Sequence, residues 1–252
     1  MPPAPGSWQA PWEEIAAVAL LAGGYALAFR NHPASWPRLA AFTTALLVLV
    51  GVVVSPLATL ALHYVLWAHL LQNVALAEWA PALAVVGLPP SLAAALGRKR
   101  VLGTLTRPLV ALPLWLAAYG VWHVPVLYDA ALRHRPLLDL EHASYFATGC
   151  LLWWPVFQSV PRRLGAGGKA AYLFGAFVLA SPLGLVLALL PGSIYGFYET
   201  APRLWGVGPL ADQQIAGVVM ALSEAIVFFG LFAVFFVRFM AEEEAGYSPG
   251  DA

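Results

Sequence analysis

Long apolar stretches alternate with short polar connections along the whole chain. Seven of these stretches approach or exceed the roughly 20 residues that a helix needs to cross a bilayer. They lie near residues 13–30, 38–55, 57–86, 107–124, 138–158, 169–190 and 212–238. The pattern therefore predicts an all-α integral membrane protein with seven transmembrane helices, which form a single transmembrane helical domain over residues 1–252.

The third apolar stretch is longer than a bilayer requires. Pro81, Pro89 and Pro90 lie in or just after its second half. Because proline lacks a backbone N–H group and clashes with the preceding turn, it kinks or ends a helix. We therefore expect the third span to kink or end early, and residues 90–96 to form a short helix at the membrane interface.

Composition supports a membrane protein and narrows its chemistry. Hydrophobic residues make up 61% of the chain and charged residues only 10%, which argues against a water-soluble globular domain and places the chain in a lipid bilayer. No feature supports a nucleic-acid partner. The single cysteine, Cys150, excludes an intrachain disulfide and any CxxC motif. The proline-rich segment before residue 12 has no basic n-region, so we expect no cleaved signal peptide.

The placement of basic residues predicts the orientation of the spans. Ten of the 13 lysines and arginines fall in the first, third and fifth connections or at the C-terminal end of the seventh span. Only Arg133, Arg135 and Arg203 fall on the opposite side. Because cytoplasmic connections carry the excess of positive charge, the N-terminus is predicted to lie outside and the C-terminus in the cytoplasm.

Polar side chains within the spans gather toward one side of the membrane. In this orientation they lie between the middle of the bilayer and its outer surface. They are His63 and His69 in the third span, His123 at the end of the fourth, Glu141 and His142 at the start of the fifth, and Asp212 at the start of the seventh. Ionisable groups are costly in hydrocarbon, so their convergence indicates a function.

Imidazole nitrogens together with a carboxylate suit copper, zinc, iron or nickel. Copper is favoured here, with zinc as an alternative occupant, because imidazoles hold both oxidation states of copper and Met220 offers a soft ligand. Asp212 or Glu141 could instead accept a hydrogen bond from a ligating imidazole. Structural roles compete with these: a buried histidine can donate to a neighbouring helix, and Asp212 stands where a helix cap belongs.

At these residues the sequence resembles the CtaG-like multi-spanning cytochrome c oxidase assembly factors, from about residue 40 to residue 238. The resemblance rests on several stretches spread along the chain. They are Ser55-Pro56, His69 with Ala80-Pro81 and Gly87, Trp122-His123-Val124-Pro125-Val126-Leu127-Tyr128-Asp129-Ala130-Ala131, Glu141-His142 with Gly149, Trp153-Trp154-Pro155-Val156, and Asp212-Gln213-Gln214-Ile215-Ala216-Gly217.

The resemblance implies a multi-pass protein of the bacterial plasma (inner) membrane that is not an enzyme but an assembly factor. Such a protein would bind copper near the outer face and deliver it to a subunit of a haem-copper oxidase, and could receive it from a periplasmic copper donor. His69, His123, His142 and Asp212 match the polar motifs of the family. The family's third span usually reads HxxxH, whereas Asn73 occupies the second position here, so the site is completed differently, for example by His63, or is weakened.

Two other functions remain open from the sequence. The histidines could hold haem or a quinone in a membrane redox protein. Glu78 and Glu224, deeper in the bundle, could serve a proton-coupled transporter. A retinal protein is excluded because the only lysines, Lys99 and Lys169, lie in connections. The chain has no P-loop and no HExxH motif, so nucleotide-hydrolysing and zinc-protease chemistry have no support.

Overall fold

The computed structural model describes residues 1–246, and within this range the chain forms α-helices and two π-helical segments but no strand. The α-helices are α1 (Trp12–Phe29), α2 (Trp36–Val54), α3 (Pro56–His63), α4 (Leu66–Val74), α5 (Ala80–Gly87), α6 (Pro90–Gly97), α7 (Arg100–Leu105), α8 (Pro108–Trp122), α9 (Pro125–Arg133), α10 (Arg135–Phe157), α11 (Ala166–Leu189), α12 (Gly196–Thr200), α13 (Pro209–Glu224) and α14 (Gly230–Gly246). The π-helical segments, Ala75–Trp79 and Ala225–Phe229, join α4 to α5 and α13 to α14.

Several of these helices are long and apolar enough to cross a membrane. Five qualify within residues 1–246: Trp12–Phe29, Trp36–Val54, Leu66–Gly87, Ala166–Leu189 and Pro209–Ala245. A sixth is obtained if α8 and α9, which bend by 74° at their junction, are counted together. The all-helical, multi-pass architecture is therefore confirmed.

That the chain crosses the membrane seven times stays a prediction. The predicted fifth span corresponds to α10, which is 23 residues long but carries Arg135, Asp139 and Glu141 and is not among the apolar five. The orientation of the termini also stays a prediction.

The predicted third span is broken into four consecutive pieces. Ser55 starts α3 by accepting a hydrogen bond from the Leu57 backbone N–H at 3.3 Å, with proline at the first helical position. The chain then leaves helical geometry at Tyr64 and Val65 before α4 begins. A π-helical segment follows, and α5 ends at Gly87, just before Pro89. The short helix predicted at residues 90–96 is present as α6.

The centre of the bundle is the stretch from α4 to α5. About 72% of this stretch is buried, against 6% of α1, so α4 and α5 lie inside and α1 lies at the periphery. Small residues allow this packing: Ala68, Ala75 and Ala77 are fully buried. At Gly149 of α10, a Cβ atom would collide with the Ala77 carbonyl oxygen. Close backbone approach at small residues is the usual basis of helix association in membranes.

Helix α1 is held to the bundle by a specific contact near each of its two ends. Near its C-terminal end, Tyr25 stacks on Phe42 at 3.8 Å between ring centres and donates a hydrogen bond to the Gly87 carbonyl at 3.0 Å. Near its N-terminal end, Glu14 contacts α10. A mostly apolar cavity of about 550 Å³ lies between these contacts, bordered by α1, α2, α10 and the first π-helical segment.

Candidate functional site

Three of the predicted site histidines are buried in the same region of the bundle. His69 lies in α4, His123 follows α8 directly, and His142 lies in α10. As whole residues they are 0%, 5% and 5% exposed, respectively. A buried imidazole needs a partner for its N–H group, so the hydrogen bonds at each ring determine what its other nitrogen can do.

The Nδ1 atom of His69 is bonded to a phenol from α12. Its distance to the Tyr198 hydroxyl oxygen is 3.0 Å, and that hydroxyl is also 2.5 Å from the Ala61 carbonyl oxygen. Because a carbonyl only accepts, the single hydroxyl hydrogen of Tyr198 is donated to Ala61. The Tyr198 oxygen must then accept from Nδ1–H of His69, which leaves Nε2 of His69 with a lone pair.

His123 is fixed by the backbone of its own helix. Its Nδ1 atom lies 2.7 Å from the Tyr119 carbonyl oxygen, so Nδ1 must carry the hydrogen. The position follows from local sequence, because Pro125 disfavours helical geometry at Val124 and α8 ends at Trp122, which leaves His123 at the sharp bend into α9. Nε2 of His123 is therefore also a lone-pair donor.

His142 is bonded to a carboxylate from α1. Its Nδ1 atom lies 2.8 Å from Oε1 of Glu14. The same oxygen lies 2.9 Å from the Arg135 guanidinium, and Arg135 also contacts Asp139 at 2.8 Å. An ionised carboxylate only accepts, so Nδ1 of His142 carries a hydrogen. With neutral imidazole, Nε2 is again free to donate its lone pair.

The three Nε2 atoms share one property that matters for metal binding. Each is buried, and none has a hydrogen-bond partner within residues 1–246. Neutral imidazole with Nδ1–H bonded to an oxygen and Nε2 free is the arrangement that histidine ligands of metal ions adopt. An unpaired buried acceptor is otherwise costly, so these atoms are the strongest indication of a ligand in the described part of the chain.

The rings are close to one another but do not form a closed centre. The ring centres of His69 and His142 are 6.5 Å apart, in an edge-on arrangement. Two imidazoles that share one ion at about 2.0–2.1 Å from each nitrogen have ring centres about 5 to 6.5 Å apart, so this pair is at the upper limit. His123 is linked to the pair through Tyr128, whose ring centre is 6.2 Å from His123 and 5.0 Å from His69.

Within residues 1–246, no three side chains of His, Cys, Asp or Glu stand close enough together to hold an ion without further movement. The structure therefore brings His69 and His142 together and places His123 and His69 beside the same ring, that of Tyr128. The ligand set stays a prediction.

Asp212 and His63, the other predicted ligands, are placed differently. Both oxygens of Asp212 accept backbone hydrogen bonds at the start of α4, from Leu66 N–H at 2.7 Å and Trp67 N–H at 3.1 Å. His63 is the last residue of α3 and is only half-buried. No contact joins it to His69, His123 or His142 among the described aromatic and hydrogen-bond contacts. Their role as ligands stays a prediction.

Asn73, one helical turn after His69, is bonded to Glu141. Its Nδ2 atom donates to Oε1 of Glu141 at 3.0 Å. The second oxygen of Glu141 has no partner within the described residues, and Glu141 is fully buried. The amide therefore orients a carboxylate beside the neighbouring His142 instead of supplying an imidazole.

Comparison with protein families decides the identity. The family model described as cytochrome c oxidase caa3 assembly factor (Caa3_CtaG) matches residues 18–242. The chain belongs to this family. The family resemblance inferred from the motifs is thus confirmed, and the match covers His69, His123, His142 and Asp212. No curated protein and no solved structure gives a significant match to the chain.

Two kinds of residue that contact the histidines were not predicted from the sequence. One is the set of phenols: Tyr128 and Tyr198 are fully or almost fully buried beside His69. Tyr128 belongs to the motif on which the family resemblance rests, so the sequence did offer a reason to consider it as a site residue. The other is Glu14, which lies ahead of the matched region, in the first turn of α1, where acidic residues commonly complement the helix dipole. No signal in the sequence pairs it with His142.

A second buried polar group lies elsewhere in the bundle. Glu78 and Glu224 are fully buried, and each is adjacent to or within a π-helical segment. Tyr119 donates a hydrogen bond to Glu224, whereas both oxygens of Glu78 lack a partner within the described residues. π-Helical segments and intramembrane carboxyl groups both occur frequently at functional sites.

Proposed function

We propose that this assembly factor binds a copper ion through the Nε2 atoms of His69, His142 and His123 and delivers it to a subunit of a haem-copper oxidase. The observation that supports this is the set of three buried imidazoles whose Nδ1–H groups are all engaged and whose Nε2 atoms are all free. The ligand chemistry fits, because imidazole nitrogens bind copper in both of its oxidation states.

The surroundings of the histidines suit an ion that is held and then released. The ring centres of His69 and His142 are at the upper limit of the separation that one ion can bridge, and a third imidazole ligand requires His123 to move toward this pair. Glu141 places an unpartnered carboxylate oxygen nearby, which can balance part of the ion's charge. Zinc is the alternative occupant, since the same ligands suit it. The chain's own task is binding and transfer, so we propose that it is not an enzyme.

The proposed cellular setting combines the family resemblance, which implies the bacterial plasma membrane, with the orientation predicted by the basic connections. We place the protein in the bacterial plasma membrane with its N-terminus outside, so that the histidines lie toward the outer face. Copper would then arrive from a periplasmic donor and leave toward the oxidase subunit that houses it. Because a donor must give up its cargo, we expect an affinity for copper weaker than that of a permanent structural site.

The test is the copper content of purified full-length protein in lipid nanodiscs. We expect about one copper per chain, and loss of that copper in the His69→Ala and His142→Ala variants. His134→Ala is the matched control, because His134 is exposed and lies outside the cluster. Loading with copper and with zinc in separate samples, followed by anomalous diffraction at each metal edge, identifies the occupant.

The proposal fails if wild-type protein loaded with either metal retains none after desalting. It also fails if the histidine variants retain as much copper as His134→Ala does, since the ion would then be bound elsewhere.

A second candidate function, a proton-coupled transporter, is favoured by Glu78 and Glu224. Two fully buried carboxyl groups near a phenol form a group that can gain and lose protons within the membrane. Metal flux into proteoliposomes that requires a pH gradient, and that disappears in Glu224→Gln, would support transport. Equal flux in wild-type protein and in Glu224→Gln would exclude it.

A further inference from the structure

Glu14 is the only residue of α1 that is hydrogen-bonded to one of the three buried histidines in the described structure. Its Oε1 atom lies 2.8 Å from Nδ1 of His142, and the contact joins α1 to α10 across 128 positions of sequence. We propose that Glu14 is a positioning residue of the ion site: it holds His142 in the tautomer and orientation that present Nε2 to a transition-metal ion. This inference rests on the proposed function for the identity of the ligand, but not for the effect on His142.

A carboxylate at Nδ1 has two physical effects on a ligating imidazole. It fixes the hydrogen on Nδ1, so that Nε2 always carries the lone pair, and it prevents the ring from rotating away. The bond lies between side chains that are 6% and 12% exposed, where little water competes with it. By contrast, His69 and His123 are held by a phenol and a backbone carbonyl, so His142 is the one with a charged partner.

The location of Glu14 is fixed by the segment that precedes α1. The Gln9 backbone N–H donates to the Val54 carbonyl at 2.8 Å, and the Gln9 side chain donates to Thr59 at 2.7 Å. The Tyr64 hydroxyl donates to the Pro3 carbonyl at 2.6 Å. This N-terminal strap, residues 3–9, thus lies against α2 and α3 and sets where α1 begins.

The bond is not a by-product of tight packing of α1. Tyr25 is the one buried residue of this helix, and the cavity of about 550 Å³ separates much of its length from α10. The carboxylate reaches α10 only where polar groups line the end of the cavity, at Glu13, Glu14, Asp139 and His142. Arg135 binds both Glu14 and Asp139 and so holds the carboxylate in line with the imidazole.

Glu14 also lies outside the region that defines the family. The match begins at residue 18, four residues after Glu14. Its contact with His142 is therefore a property read from this chain and not from the family assignment.

The experiment compares Glu14→Ala, Glu14→Gln and Glu13→Ala in the full chain. Glu13 is the matched control, because it is the adjacent carboxylate, is exposed and makes no contact with His142. In apo protein labelled with ¹⁵N-histidine, we expect Glu14→Ala to convert the His142 signal from the single Nδ1–H tautomer to a mixture. Glu14→Gln keeps an acceptor oxygen and should retain the wild-type tautomer, as should Glu13→Ala.

Copper affinity, measured by competition with a chelator, provides the second reading. We expect Glu14→Ala to weaken binding by about 10- to 100-fold, as is typical when the partner of a ligating histidine is removed. Glu13→Ala should leave binding unchanged. Thermal unfolding of all variants shows whether a loss of affinity comes from a loss of fold.

The outcomes separate this inference from the proposed function. If the His142 tautomer in Glu14→Ala is the same as in wild type, the positioning role is wrong even if copper binds. If the tautomer changes but wild-type protein binds no copper, the positioning role stands and the copper proposal falls. Equal effects of Glu13→Ala and Glu14→Ala would overturn the inference, since general surface charge would then explain both.

Discussion

Asp212 illustrates how a residue that matches a polar motif can act as a hydrogen-bond acceptor for backbone N–H groups. Its two oxygens accept hydrogen bonds from Leu66 N–H and Trp67 N–H, which are free donors in the first turn of α4. The cap therefore comes from α13, a different helix, and ties α13 to the start of the helix that carries His69. This places the residue near the histidines and gives it a structural task there.

We expect Asp212→Ala to lower the free energy of unfolding by about 1–2 kcal/mol, because two N–H donors, one buried and one part-buried, lose their acceptor. The number of copper ions per chain should stay the same. Thermal unfolding and metal analysis of the same preparation check both parts.

Asp212→Asn is the companion variant, since the amide keeps one accepting oxygen and should lose less stability. If instead either variant folds as well as wild type but loses its copper, Asp212 is a ligand, as the motif predicts.

The residues of the site were predictable from the sequence only in part. Histidines within apolar stretches are conspicuous, because ionisable groups are rare there, and His69, His123 and His142 do lie near one another. Their partners were not predictable. The hydroxyl of Tyr198 and the carboxylate of Glu14 belong to helices that are far from the histidines in sequence. A local sequence pattern does not predict such long-range contacts.

At the scale of helices, the contact between α10 and the first π-helical segment leaves no room for a side chain at Gly149. A Cβ atom at Gly149 would collide with the Ala77 carbonyl oxygen and with the Pro81 ring. The backbone of α10 and the segment around Glu78 are thus in direct contact, and this contact holds α10, with His142 near its beginning, against the centre of the bundle.

We expect Gly149→Ala to destabilise the protein by about 1–3 kcal/mol through overpacking against backbone that cannot move aside. Gly120→Ala is the matched control: it is also a glycine within a helix, but a Cβ atom there meets nothing within 4 Å. Alanine at position 120 should leave stability equal or raise it by up to about 1 kcal/mol. Midpoints of thermal unfolding in the same detergent compare the two.

A Gly149→Ala variant as stable as wild type would show that α10 can move away from Ala77 at little cost.

The order of the helices was largely predictable, whereas their irregularities were not. Each span predicted from the apolar stretches corresponds to one helix or to consecutive helices in the structure. Pro90 is the first residue of α6, as predicted. The π-helical segments and the short helices α7, α9 and α12 were missed. A π-helical turn differs from an α-helical one only in its backbone bonding, and residues 125–133 are too short and too polar to stand out between two spans.

For the whole molecule, the orientation in the membrane is the prediction with the widest consequences. The basic connections predict that His134 faces the outside and that Lys99 and Arg162 face the cytoplasm. We expect a single cysteine at position 134, in a chain whose Cys150 has been replaced by alanine, to react with a membrane-impermeant maleimide in intact cells. Cysteines at positions 99 and 162 should react only after the cells are permeabilised.

This pattern also tests the number of crossings, because an odd number is required between positions 99 and 134 and again between positions 134 and 162, where α10 lies. Labelling of all three positions in intact cells would contradict the predicted topology.

The N-terminal strap has a practical consequence for anyone who produces this protein. A fusion tag placed ahead of Pro3 would crowd the hydrogen bonds that Pro3 and Gln9 make with Tyr64, Val54 and Thr59. Such a tag would disturb the start of α1 and, through Glu14, the ring of His142. Copper measurements that test the proposed site would then give too low a value on amino-terminally tagged material, so a cleavable tag at the other end is the safer design.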